Sequence, residues 1–243
     1  MQAQLQQATV VDKETWIDVV QVGILGLTPL LSGRIANSGV IECFRRRNTV
    51  RVGNVVIIDD PIEDYRESVY KMPDGSPTLL GFSASAYWLP TMRAGERLNE
   101  VPPARLKRCV RFGRELLPLY GLPRIHISFA KWDDRLYVRS RAIFPRWGMR
   151  LNVQALQQLV SVGTAIRALS EAGRSVGIGL FCPWAGGDFG TFEVVAPDDP
   201  RLLELIEQST AEAQAAALAT PEPFDGLARE VLAAYSLATR GNR

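Results

Sequence analysis

The stretch from Arg124 to Phe144 constrains this chain more than any other. Ile125, Ile127 and Phe129 alternate with more polar residues on one side of Asp133-Asp134, and Leu136 and Val138 open the run on the other side. A period of two on both flanks of a turn-forming pair specifies an antiparallel hairpin. The fold must therefore contain an antiparallel sheet, with strands at 124–132 and 135–144.

Other elements can be read around it. Trp16 to Leu27 is rich in Val and Ile and reads as a first strand ending at Thr28-Pro29. Val55 to Ile58 is a short apolar strand. Asp59-Asp60-Pro61 with Glu63 is a helix start: an acidic cap, proline at the first helical position and a carboxylate shortly after. That helix is predicted to reach about Lys71, before the Pro73-Asp74-Gly75 turn. Thr78 to Phe82 reads as a strand, and Ser83 as the cap of a helix running toward Met92. Leu98 to Pro103 is a loop, and Cys109–Phe112 and Leu116–Tyr120 fit strand or helix alike. Trp147 to Val153 continues as a strand, and a helix within 155–172 is expected to end on Gly173 in the left-handed cap position. Val176–Phe181 and Phe189–Val195 are predicted strands flanking a glycine-rich loop. Two alanine-rich helices, 199–219 and 224–238, are joined at Thr220-Pro221-Glu222-Pro223.

The ordered elements follow a βαββαβ sequence. This predicts an α+β, ferredoxin-like (RRM-type) antiparallel sheet with long insertions, over residues 1–198, followed by a C-terminal helical extension, 199–243. No apolar run is long enough to span a bilayer, and the glutamine-rich start lacks the order of a signal peptide. Three separated cysteines, Cys43, Cys109 and Cys182, offer neither a disulfide framework nor a paired zinc site. A cytoplasmic, reducing compartment is the expectation, with no membrane partner.

The formal net charge of +2 conceals a strong asymmetry. Residues 91–150 hold 14 Lys+Arg against 5 Asp+Glu, whereas 1–90 hold 8 against 10 and 151–243 hold 6 against 11. Only Lys107 and Lys131 of the central cations are lysine. Guanidinium groups fork onto phosphate and stack on bases, so a polyanion is the implied partner.

Catalysis finds little support. The single histidine, His126, lies within a strand among apolar neighbours and reads as a partnered structural residue. There is no nucleophile elbow, since Ser85 stands where a second glycine would follow Gly81 and Ser83. No phosphate loop occurs, and Gly177-Ile178-Gly179 lacks the third glycine of a dinucleotide site. Asp59, Asp60, Glu63 and Asp64 read as capping residues rather than metal ligands. Neither an enzyme nor a cofactor or metal is expected.

Binding features are richer. Arg135, Arg139 and Arg141 share one face of the second hairpin strand, with Lys131 across the turn and Arg146 and Trp147 just beyond. Guanidinium groups there would track phosphates, while Tyr137 and Trp147 would stack on bases. Arg45, Arg46 and Arg47 form a basic loop. From Ala172 to Phe192, six glycines alternate with Phe, Trp and Arg174. Gly177 and Gly179 would let the backbone approach a phosphodiester chain, although a cap, a bulge and a turn explain the same glycines.

Three segments resemble the signature of the RAMP superfamily, the RNA-recognition-fold backbone subunits of CRISPR effector complexes. Leu27–Arg34 (LTPLLSGR) is similar to the end of their first strand, Leu80–Tyr87 (LGFSASAY) to a helix start, and Ala172–Gly179 (AGRSVGIG) to their late glycine-rich loop. Phe82 replaces a usual glycine, and the proline of the second segment is missing. A comparable arrangement occurs in uncharacterised phage-type proteins, with Cys182-Pro183 here in place of Arg-Pro. The resemblance implies a subunit that grips single-stranded RNA or DNA, within a homo-oligomer or ribonucleoprotein complex of CRISPR or phage origin, without cleaving it. The alternative is an assembly protein whose arginines make protein contacts and touch no nucleic acid.

Overall fold

The computed structural model describes residues 17–34, 50–52, 55–57, 60–98, 101–113, 115–132 and 135–240. These form a mixed α+β protein whose strands pair antiparallel with one exception. Strand β1 (Ile17–Gly26) is followed by the short strands β2 (Leu30–Leu31), β3 (Val50–Val52) and β4 (Val55–Ile57). Helix α1 (Pro61–Glu67) starts as its sequence dictates, with the Asp60 carboxylate accepting the Ile62 N–H at 2.8 Å. It stops short of Lys71 because β5 (Tyr70–Lys71) pairs with β6 (Leu80–Ser83). A 3₁₀ turn then enters α2 (Trp88–Leu98); Ser83 makes no side-chain cap there, and its hydroxyl instead meets that of Ser85 at 2.7 Å.

The chain continues through α3 (Pro103–Cys109), β7 (Val110–Arg111) and β8 (Leu116–Pro118). The predicted hairpin follows as β9 (Arg124–Trp132) and β10 (Arg135–Phe144), and then β11 (Gly148–Leu156), α4 (Val162–Ser175) and β12 (Phe192–Val195). Three helices close the described chain: α5 (Pro200–Gln208), α6 (Ala211–Ala219) and α7 (Gly226–Arg240). The first predicted C-terminal helix is thus two, because Thr210 caps a new start by accepting the Ala213 N–H. No helix among the described residues is long and apolar enough to cross a membrane.

The central sheet runs β12-β1-β11-β7, every neighbour antiparallel. Val20, Val22 and Ile24 of β1 and Met149, Leu151 and Val153 of β11 are buried on the face covered by α2 and α4. The hairpin lies in a second sheet, where β10 pairs β9, β2 and, in parallel, β4. That corrects the expectation that the hairpin supplies the paired strands of the main domain. In the central sheet β11 pairs instead with β1 and with β7, and β7 is too short to announce itself by alternation.

Two further expectations fail around the glycine-rich segment. Helix α4 runs past Gly173 to Ser175, and Gly173 is inside it because a Cβ there would come within 2.2 Å of the Phe192 carbonyl oxygen. Residues 176–181 form turns rather than a strand, since the Ile178 N–H is held by Gly190 O at 2.9 Å and the Leu180 N–H by Leu31 O at 3.2 Å.

The C-terminal helices pack on the rest. Helix α5 sets Leu202 over Gly23 and Gly148, whose missing side chains leave room on the second face of the central sheet. Gln214 of α6 is fully buried and fully satisfied. Its carbonyl oxygen accepts the Leu80 N–H at 2.9 Å, and its NH₂ donates to Leu119 O at 2.8 Å and Gly121 O at 2.9 Å. Replacing it with Leu keeps the volume and strands three buried backbone groups. Gln214→Leu is therefore expected to lower the unfolding free energy by about 3 kcal/mol in a urea titration.

Candidate nucleic-acid interface

Most of the described arginines serve the fold. Arg34 donates to Glu67 O at 3.2 Å and Val69 O at 2.7 Å, and Arg66 to Leu218 O at 3.0 Å and Ala219 O at 2.8 Å. Among the predicted site residues, Arg141 donates to Arg34 O at 3.2 Å, and burial followed by the charge of neighbouring Arg139 disfavours its charged form. Arg146 is exposed but pairs with Glu204 at 3.6 Å. Trp147 is the clearest correction. It is 1% exposed, with its indole N–H donating to Thr28 O at 2.8 Å, so no base can stack on it. Arg45, Arg46 and Arg47 lie outside the described residues, as do the side chains of Lys131, Arg135 and Tyr137 on the hairpin strands.

The glycine-rich segment is held by its own backbone. Gly177 and Gly179 have φ of +70° and +82°, and a Cβ on Gly179 would meet Leu31 O at 2.8 Å. Both positions thus have a complete structural reason. Arg174 is exposed in the last turn of α4. On the same segment Phe181 adopts φ +52°, and exposed Trp184 is stacked by the Arg93 guanidinium, 3.4 Å from the ring centre.

Cations do converge elsewhere, at the edge formed by α3 and β7. Arg105, Lys107, Arg108 and Arg111 are all exposed, and the stretch 103–112 contains no carboxylate. Among the described residues, no ion pair engages any of the four. Pro103 at the first helical position begins the helix, and its last turn carries Lys107 and Arg108, where the negative end of the helix dipole favours them. Arg111 is tethered: its Nη1 donates to Lys107 O and Val110 O, both at 3.0 Å. The charge count points to this region, but 103–112 lacks the periodicity that would place it on an edge.

Arg111 stands opposite Gln154 of β11 in the register, at the border of the sheet face turned away from α2 and α4. The part of that face not covered by α5 carries Val19 and Gln21 of β1 and Asn152 and Gln154 of β11, with the Gln21 amide donating to Asn152 Oδ1 at 3.3 Å. Asp18 alternates to the other face. The result is a ladder of carboxamides bordered by the cations of α3 and β7. Among the described residues, no cluster of three or more His, Cys, Asp or Glu is placed to hold a metal.

His126 differs from its predicted role. Its ring lies edge-on to Phe189, with centroids 5.8 Å apart, and beside Phe224 at 6.2 Å, and its buried Nδ1 has no hydrogen-bond partner among the described residues. A search against protein-family models returned no match, and neither did a search of curated proteins.

Two outcomes are expected. Gly177→Ala and Gly179→Ala should each cost about 1–2 kcal/mol of stability, from the left-handed backbone, while the folded fraction keeps its affinity for ligand; thermal melts with parallel binding titrations check this. Burial holds the His126 imidazole below its ordinary pKa, opposed by Asp225. The unfolded chain therefore takes up the proton first. Stability should be complete above about pH 6.5 and decline as the pH falls below it. Urea melts at pH 7.5 and 5.5 should differ less in His126→Phe than in the native chain.

Proposed function

We infer that this chain binds single-stranded nucleic acid on the open face of its central sheet, with α3 and β7 contacting the phosphates. One observation carries the reading: four exposed cations, without ion-pair partners among the described residues, border a face of carboxamides. Guanidinium and ammonium groups neutralise phosphates, and carboxamides donate to and accept from base edges. Carboxamides discriminate weakly between sequences here, because the strand would lie along them rather than enter a groove.

The reading extends to the fold. We take the order β12-β1-β11-β7, with α2 between β1 and β7 and α4 between β11 and β12, as a ferredoxin-like arrangement carrying the second sheet as an insertion. That order is what the resemblance to RAMP subunits calls for, and it supports a role in a CRISPR or phage ribonucleoprotein assembly, as a binding rather than a cleaving component. Arg124–Glu222 at 3.0 Å and Arg146–Glu204 favour the second reading, an assembly protein, because they use central cations within the chain.

The test is a salt titration of binding to a fluorescent single-stranded oligonucleotide, read by anisotropy. Affinity should fall steeply with salt, and Arg105→Ala with Arg108→Ala should flatten the log–log slope by about 0.7 for each phosphate no longer neutralised. An unchanged slope in the double variant overturns the α3 assignment, and absence of binding favours assembly.

A further inference from the structure

Beside this edge, a cleft of about 430 Å³ opens between the start of α2 and β7, lined by Ser85, Trp88, Lys107, Arg111, Phe112 and Gln154. Its volume lies within the range of small-molecule sites, which combine an apolar wall with a few convergent polar groups. A smaller hollow of about 120 Å³ shares Arg111 and Gln154 with it, and two clefts elsewhere are chemically poorer. One of about 380 Å³ between α6 and residues 122–124 is walled by alanines. A second, of about 200 Å³, lies over Trp147 beside Arg146 and Arg201, and Arg146 and Arg201 are already paired with carboxylates.

We propose that the Trp88 cleft is a nucleotide site, selective for a nucleoside bearing a phosphomonoester. Trp88 supplies a flat aromatic wall, and the Lys107 ammonium lies 5.6 Å from its ring centre. Such a lysine covers the indole in the absence of ligand and has the stem length to turn onto a phosphate, leaving the ring for a base. Arg111 is different, because its two bonds to main-chain carbonyls fix the guanidinium at the cleft mouth before any ligand arrives. Gln154, directly across the ladder, presents a donor and an acceptor to a base or ribose edge.

No carboxylate lines the cleft among the described residues. The nearest in sequence, Glu115, reaches its rim, with its carboxylate over Gly113, which also lines the cleft. A phosphomonoester carries about −1.5 to −2 charges at neutral pH, against about −1 for each internal phosphodiester, so two lining cations against a single carboxylate at the rim favour the former. The ligand is either a free mononucleotide or the phosphorylated end of a strand. The second source rests on the strand-binding reading above; the first does not.

Calorimetric titration of the full chain with adenosine monophosphate, adenosine and inorganic phosphate tests the site. The monophosphate should bind at least tenfold more tightly than either fragment. Arg111→Ala and Trp88→Phe should each weaken it about tenfold, with melting temperatures compared to confirm folding. Equal binding of monophosphate and inorganic phosphate, or full affinity in both folded variants, overturns the proposal. Single-stranded decamers with and without a terminal phosphate separate the sources. A gain from the terminal phosphate that disappears in Trp88→Phe assigns the strand end, and equal binding of the two decamers assigns the free nucleotide. Should neither decamer bind while the monophosphate does, the strand-binding reading fails and the cleft stands.

Discussion

The Trp147 indole joins parts of the chain that no local rule connects. It sits between β10 and β11, where the second sheet passes into the central one. Its N–H donates to Thr28 O, the Trp147 main-chain carbonyl accepts the Gly26 N–H at 2.9 Å, and the ring meets Phe192 of β12 at 6.3 Å. Gly26 is the only residue that fits beneath it, since a Cβ would fall 2.2 Å from the indole nitrogen. The end of β1, the start of β11 and β12 are thereby fixed on one aromatic group, large enough to dominate the local packing energy. The register of β1 with β11, and with it the carboxamide face, depends on that anchor.

Arginine has two distinct uses in this molecule. Where loops and helix ends leave carbonyls without partners, Arg34, Arg66, Arg141 and Arg150 supply donors, which ties their guanidinium groups to the main chain. Along α3 and β7 only Arg111 is used in this way, on Lys107 O and Val110 O, so the heads of Arg105 and Arg108 remain in solvent and Lys107 lies over the Trp88 ring. A regional charge excess therefore becomes a local one where few of its cations are drawn onto main-chain carbonyls.

Much of the fold was legible because it is written at short range. The Asp60-Pro61 start of α1, the alternation of β1, the β9–β10 hairpin and the helix at α4 each depend on residues within a few positions. The site was legible only as a charge bias over about sixty residues. Arg141 and Trp147 carry the right chemistry for nucleic acid, but their partners, Arg34 O and Thr28 O, are 107 and 119 residues away in the chain.

The sequence by itself determined an antiparallel α+β chain, the position of its longest hairpin and the basic character of its middle third, since periodicity, caps and composition are local or additive properties. Tertiary structure decided which strands share a sheet, that Trp147 faces inward, that Gly177 and Gly179 serve a turn, and which cations along α3 and β7 stay exposed together. Those outcomes follow from burial and long-range pairing, where a side chain's role is set by the group that happens to reach it, and periodicity carries no information about that group.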